Sequence, residues 1–302
     1  MDAQELLGSI LTLQPARISS SGVSPELETL NLIADLKEKI PVSIDRAWLK
    51  FKFRSDPSPL KVVLEQEVSR YNILLAMIRV DLEQLEKGIQ GLVVISSEGE
   101  KMMTDMRNNV VPATWKDQYF SMKSLANWML DLVARYDFFF TWANKGVPYC
   151  FWISAFTFPT GFTTALLQKF ARKSGSPAID KLEFDFFMLP KTPADITEHA
   201  KDGGYVYGFF LEGAKWDTDN TCMAEPNVME LYSSMPVIHF KPISKRTKPM
   251  TNVYECPVYY YPTRQGTPYK NSFQMHVLLR LGEESADFWI KRGAALLMSK
   301  AT

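Results

Sequence analysis

The sequence predicts an α+β fold. An N-terminal α-helical bundle with one long helix occupies residues 1–178, and an antiparallel β-barrel-like or sandwich subdomain follows over residues 179–302. Three observations predict it. Before about residue 178 apolar side chains recur at helical spacing. After it they alternate with period two, in short runs broken by proline and glycine. The third is size: 302 residues, 46% of them apolar, make a chain that buries roughly 75% of the surface its unfolded form exposes. A polypeptide of that length holds a core without disulfide staples, as one large domain or two ordinary ones.

Each element has its own signal. Ser24 followed by Pro25 reads as an N-cap with proline in the first helical position; Leu27, Leu30, Ile33, Leu36 and Ile40 then face one way, and Pro41 closes the helix. Ser58 and Pro59 repeat that start. Leu64, Val68, Tyr71, Leu75, Ile78, Leu82, Leu85, Ile89 and Leu92 step by four and three, which predicts a helix of about 30 to 35 residues, roughly 50 Å long. Two readings of that seam stand: a coiled coil with another chain, or a scaffold helix packed on its own neighbours, with Gly88 and Gly91 weighing against an isolated coil. A third helix starts near Ser121, with Leu125, Trp128, Met129, Leu132, Tyr136 and Phe139 on one face and Phe138 and Trp142 on another. Its last turns are apolar nearly all round and need cover on two sides. A fourth helix runs over residues 160–173, with Gly175 as its stop.

From residue 179 strands are expected where Leu182, Phe184, Phe186 and Met188 alternate with acids, where Tyr205, Tyr207, Phe209 and Leu211 alternate around Gly208, and where Phe273, Met275, Val277, Leu279 and Leu281 alternate with polar residues. Residues 237–240 and 258–261 are shorter runs of the same kind. Five or six such strands, with little room for crossover helices, imply an antiparallel sheet curled on itself. The two longest loops fall at residues 190–204 and 241–252.

Composition excludes several classes. With 34 basic and 34 acidic side chains the net charge is zero, which argues against nucleic acid as a partner. Cys150, Cys222 and Cys256 are odd in number and widely spaced, neither a disulfide framework nor a metal site, and this points to a reducing compartment. The acidic N-terminus carries no secretory signal, and the most apolar stretch, residues 147–158, is too short for a bilayer, which takes about 20 residues. The expectation is a soluble intracellular protein with no membrane contact.

Motifs for chemistry are missing. The nearest match to a phosphate-cradling loop, Gly208 to Gly213 followed by Ala214 and Lys215, misplaces its lysine, lacks the hydroxyl and sits in a strand. No dinucleotide fingerprint, zinc-protease helix or nucleophile elbow is present. His239 and His276 meet across a sheet in one reading, but neither has a second ligand at metal spacing; His199 lies in a loop. Glu283–Glu284 and the pair Asp195 and Glu198 read as solvated loop charge. Lys241, Lys245, Arg246 and Lys248 form a local basic cluster that suits an acidic surface such as tubulin's, a phosphoryl group, or a solvated hairpin tip.

Several blocks nevertheless resemble the C-terminal domain of the dynein heavy chain. They are Lys87-Gly-Ile-Gln-Gly-Leu-Val-Val-Ile-Ser96, Phe151-Trp-Ile-Ser-Ala-Phe156, Gln168-Lys-Phe-Ala-Arg-Lys173, Gly204-Tyr-Val-Tyr-Gly-Phe-Phe-Leu-Glu-Gly-Ala-Lys-Trp-Asp217, Met235-Pro-Val-Ile238, Tyr254-Glu-Cys-Pro-Val-Tyr259 and Trp289-Ile-Lys-Arg-Gly-Ala-Ala-Leu-Leu297. They stand in the family's order and extend over nearly the whole sequence. The axonemal (ciliary and flagellar) branch fits better than the cytoplasmic one. The wording of residues 264–272 varies within the family and leaves the arm subclass open.

The resemblance implies a helical part followed by a β-barrel-like part, lying across a ring of six AAA+ modules in a minus-end-directed microtubule motor. It implies no nucleotide or metal site here, ATP and Mg belonging to the parent's modules. One reading gives the first 50 or so residues to the lid of the last module. The partners it implies are the AAA+ modules of the same heavy chain, microtubules through the parent motor, and intermediate and light chains in its complex; the place is the axoneme and cytoskeleton. Phe138, Trp142, Lys245, Arg246 and Lys248 are the candidate ring contacts, with burial inside this same chain as the alternative for the two aromatics. Two readings from other classes remain: a stand-alone enzyme with a helical cap over a β-barrel site, and a peptide- or glycan-binding module using Tyr259, Tyr260 and Tyr261.

Overall fold

The computed structural model describes residues 24–119, 121–175, 178–264 and 272–299. Helix α1 (Pro25–Lys39) starts on the expected cap, with the Leu27 amide donating to Ser24 Oγ at 3.3 Å. It buries Thr29, Ile33 and Leu36, whereas Leu27 is 50% exposed and turns away from that face. Helix α2 (Arg46–Lys52) is too short to carry an apolar stripe. It buries only Leu49 and starts on Asp45, whose carboxylate accepts the Ala47 and Trp48 amides.

Helix α3 (Pro59–Ile89) is the expected long helix, 31 residues. Its seam, from Leu64 to Leu85, is at most 4% exposed and is filled by other parts of this polypeptide, chiefly α1, α2 and the later helices introduced below. The scaffold reading of the seam therefore holds, and nothing of it is left for a coiled-coil partner. The helix stops before Leu92 because Gly91 takes the left-handed conformation, φ +76°. Leu92 lies beyond the turn and is exposed.

Helices α4 (Ser97–Arg107) and α5 (Ala113–Gln118) bury one residue each, Met106 and Trp115. Helix α6 (Leu125–Lys145) buries Leu125, Trp128, Met129, Leu132, Tyr136 and Phe139 as the spacing predicts. Helix α7 (Pro159–Ser174) ends at Gly175, φ +58°.

Eleven strands are present among the described residues, more than the alternation shows, because six of them are three residues long. One sheet has the order β1 (Cys150–Trp152), β3 (Gly204–Tyr207), β8 (Val237–Ser244), β2 (Leu182–Leu189). A second runs β10 (Phe273–Arg280), β9 (Val253–Tyr259), β11 (Ala295–Leu297), β4 (Phe210–Glu212), β7 (Tyr232–Ser234). The third is the hairpin of β5 (Lys215–Asp217) and β6 (Cys222–Ala224). Helix α8 (Ala286–Arg292) leads into β11.

Three features correct the expected β architecture. No sheet closes into a barrel among the described residues, and two pairs, β1 with β3 and β11 with β9, are parallel. The alternation around Gly208 is two strands in two sheets: Gly208, at φ +98°, redirects the backbone, and a Cβ there would lie 2.7 Å from the Trp152 ring. The 241–252 loop is shorter than expected, since β8 continues to Ser244 with Pro242 at a position beyond the end of β3, where no ladder donor is needed on that side.

The change of character near residue 178 is a change of secondary structure, while the core is continuous across it. One cluster of buried residues runs from Ile33 to Met298. Strand β1, which lies in sequence between α6 and α7, is an edge of the four-stranded sheet. Most of the family-variable turn, residues 265–271, lies outside the described part, and so do residues 1–23 of the segment read as a module lid.

Candidate functional site

The most heavily built polar region is the joint where α3 and α6 meet the start of α7. Glu67 on α3 is 1% exposed. Its Oε2 accepts the Thr157 amide at 2.8 Å and the Thr157 hydroxyl at 2.7 Å, and its Oε1 accepts the Phe158 amide at 3.1 Å and Arg70 Nη1 at 2.9 Å. At Phe158, the residue before α7, no local side chain caps the helix. Glu67 supplies that cap from 90 positions away, a negative group on orphan amides at a helix start. Burial pushes the Glu67 carboxyl above its ordinary range, against the pull of the Thr157 bonds, Arg70 and the Phe158 amide.

Arg135, on α6 and 2% exposed, lies beside this joint. Its Nε donates to Asp131 Oδ2 at 3.0 Å, one turn earlier, and its guanidinium stands 4.4 Å over the Tyr119 ring and 5.4 Å from Trp152. The Tyr119 hydroxyl donates to Asp131, and Lys123 Nζ lies 3.1 Å from the other carboxylate oxygen. Burial raises the Asp131 carboxyl, but Arg135, the Tyr119 hydroxyl and Lys123 outweigh it and hold the group below the ordinary aspartate range. Tyr71 and Tyr260 donate to the carbonyls of Ala155 and Phe156, each at 3.0 Å, and burial keeps both phenols neutral. A cleft of about 500 Å³ opens in front, lined among others by Arg70, Tyr71, Tyr119, Thr157 and Tyr260. The glutamate, aspartate and phenols around it all hold structural partners. The chemistry that this arrangement performs is clamping.

The other sequence candidates are dispersed. Trp142 is 1% exposed and Phe138 half-buried, packed edge-on to each other and to Phe156, so both rings sit inside the molecule. Arg246, half-buried just past β8, pairs with Glu183 at 2.7 Å and Asp185 at 2.8 Å on β2, while Lys245 and Lys248 are both exposed. His239 and His276 fall in different sheets and do not meet; His239 Nε2 contacts the Asp202 carbonyl at 2.8 Å, and His199 packs on Tyr149. Among the described residues no three His, Cys, Asp or Glu side chains converge as a metal set. Tyr260 and Tyr261, 7% and 3% exposed, are packing residues and offer no ligand platform.

Glu67, Asp131 and Arg135 escaped sequence reading. A charge at an inward position of an otherwise apolar helical face was the available signal, since Glu67 stands between Leu64 and Val68, and Arg135 between Leu132 and Tyr136. The Thr157 and Phe158 partners of Glu67 lie too far along the sequence to be paired by spacing, whereas Asp131 and Arg135 stand one helical turn apart, a spacing that could have paired them.

Comparison with known proteins places this architecture. The pattern of the family described as the C-terminal domain of the dynein heavy chain matches residues 1–298. The protein belongs to that family. Among its relatives, Dynein axonemal heavy chain 2 of Mus musculus is 44% identical over 301 residues, 99% of this sequence and 7% of the relative. Dynein-1-beta heavy chain, flagellar inner arm I1 complex, of Chlamydomonas reinhardtii is 40% identical over 304 residues, 100% of this sequence and 7% of the relative. Dynein axonemal heavy chain 1 of Homo sapiens is 37% identical over 297 residues, 97% of this sequence and again 7% of its own length. The dynein C-terminal domain thus spans only a small fraction of the curated heavy chains it matches, and these are axonemal, the branch that the sequence blocks resemble.

Proposed function

We propose that this polypeptide is the non-catalytic C-terminal domain of an axonemal dynein heavy chain, packed across the AAA+ ring of its own motor and modulating ATP-driven, minus-end-directed movement. The observation that carries the proposal is mechanical. Helices and sheets share one core, a strand from the helical half is hydrogen-bonded into the sheet, the buried Glu67 carboxylate ties α3 to the start of α7, and Arg135 of α6 packs on the rings of Tyr119 and Trp152. Such a body bends little internally, so displacement of one edge is carried to the other.

A stiff body touching several ring modules favours whichever ring conformation gives it the larger contact energy, and so shifts populations. A coupling of about 1 to 3 kcal/mol changes affinity or rate about 5- to 150-fold. ATP, Mg, microtubules, and intermediate and light chains are engaged by the remainder of the motor, in the axoneme. Deletion of this segment from an intact motor is the direct test: ATP turnover, gliding velocity and stall force should change together with the motor still assembled. Unchanged values for all three would remove the regulatory role. Calorimetric titration of the isolated domain with MgATP should give no stoichiometric heat, and a stoichiometric signal would contradict the non-catalytic reading.

A further inference from the structure

The protein is neutral overall, with 34 cations and 34 anions, yet its charges are sorted. Residues 46–54 carry Arg46, Lys50, Lys52 and Arg54 and no carboxylate, and all four of these residues are exposed. Among the described residues none of the four has an ion-pair partner, in contrast to Arg246, whose charge is met by Glu183 and Asp185. Lys52 Nζ donates to the Asn144 carbonyl at 2.7 Å and lies 4.9 Å over Trp48, and the Arg54 guanidinium lies 4.2 Å over Phe51. Phe51 is 66% exposed and Trp48 36%. Lys61 and Arg172 extend the cationic rim along a shallow groove beside α2. The acids nearby are Asp45, Asp56 and Glu65; the first two are used as caps for the Ala47 and Ser58 amides.

At Arg246 two carboxylates neutralise the charge. Here the six cations outnumber the three carboxylates, and they surround aromatic rings held in place by cation contact. Aromatic and arginine side chains on one exposed face match the composition of interface centres, and rings already fixed lose little freedom on docking. The surface fits a partner patch of aspartate and glutamate with an apolar residue for Phe51. Since the sequence spans 7% of the length of its axonemal relatives, most of the polypeptide that surrounds it in a heavy chain lies outside these residues. We propose that residues 46–54 dock on an acidic surface elsewhere in the same heavy chain. This rests on the reading that the domain packs against its own ring, and it names the face that does so.

Zero-length carbodiimide cross-linking of the intact motor, read by mass spectrometry, tests it, because that reagent joins only lysines and carboxylates already in contact. Lys50, Lys52 or Lys61 should be joined to an aspartate or glutamate of the same heavy chain outside the 302 residues. The triple variant Arg46→Glu, Lys50→Glu, Arg54→Glu should lower the remaining Lys52 and Lys61 products at least about tenfold, with the circular dichroism of the motor unchanged. Products from these lysines to tubulin, to an accessory subunit or to a second copy overturn the proposal, as does a complete lack of products outside the segment. Ring products that start only from other faces of the domain overturn this assignment and leave the ring-packing reading standing. A lack of ring products from any face defeats both.

Discussion

Glu67 is a carboxylate placed where solvation is lost and four donors converge, and its substitution separates those two effects. In Glu67→Gln the amide nitrogen must face amide donors of Thr157 or Phe158, leaving buried donors unmet, so a stability loss of about 2 kcal/mol is expected at pH 7. Because burial raises its folded value, Glu67 contributes stability that is complete below its unfolded value and is lost as pH rises through the folded one. The variant should lack that decline, which urea titrations between pH 4 and about 8 will measure. Asp131 has the opposite sign. Its folded value is lowered, so its contribution is present above the ordinary aspartate range and is lost as pH falls through the folded value. Asp131→Asn leaves Arg135 buried without its counter-charge, and about 3 kcal/mol should be lost at pH 7, with a flatter acid limb.

At the scale of elements, legibility followed length and regularity. The α3 seam declared itself because eight apolar residues within the helix hold one period, and because Ser58 with Pro59 marks the start. Helices α2, α4 and α5 were silent, since each buries a single side chain and a single residue has no period. Three-residue strands and parallel partners were silent for a related reason: pairing is decided by contacts far along the sequence, while local alternation reports only a half-buried surface. The clamp was hidden in the same way, the Glu67 carboxylate and Thr157 being 90 positions apart. Two element-level outcomes follow. Leu75→Ala, at a fully buried seam position, should lose about 2 to 5 kcal/mol, with a urea midpoint independent of protein concentration because the seam is closed within one molecule. Gly203→Ala should disrupt the junction of β3 with β8: the residue sits at φ +76°, and a Cβ would stand 1.8 Å from the Phe240 carbonyl oxygen. Several kcal/mol, beyond the roughly 1 to 3 of a left-handed residue alone, should be lost in denaturant titration.

For the whole molecule, the continuous core argues for one cooperative unit. The helical half supplies β1 to a sheet whose other strands come from the second half, and Tyr260 of the second half donates to Phe156 of the first. Tryptophan fluorescence, dominated by the helical half, and far-ultraviolet circular dichroism should therefore report coincident unfolding transitions. Separate transitions would show two independent bodies and would weaken the stiff-plate mechanism.

Strand β11, nearly the last stretch of the described residues, is inserted between β9 and β4 in the middle of the five-stranded sheet. On a ribosome that sheet has a vacant central slot until residues 295–297 emerge from the exit tunnel. A product that stops before Ala295 has two exposed strand edges in the middle of this sheet, ready templates for pairing with another polypeptide. Removal of residues 295–297 should therefore favour aggregation over folding, because β9 and β4 lose the one strand that joins them.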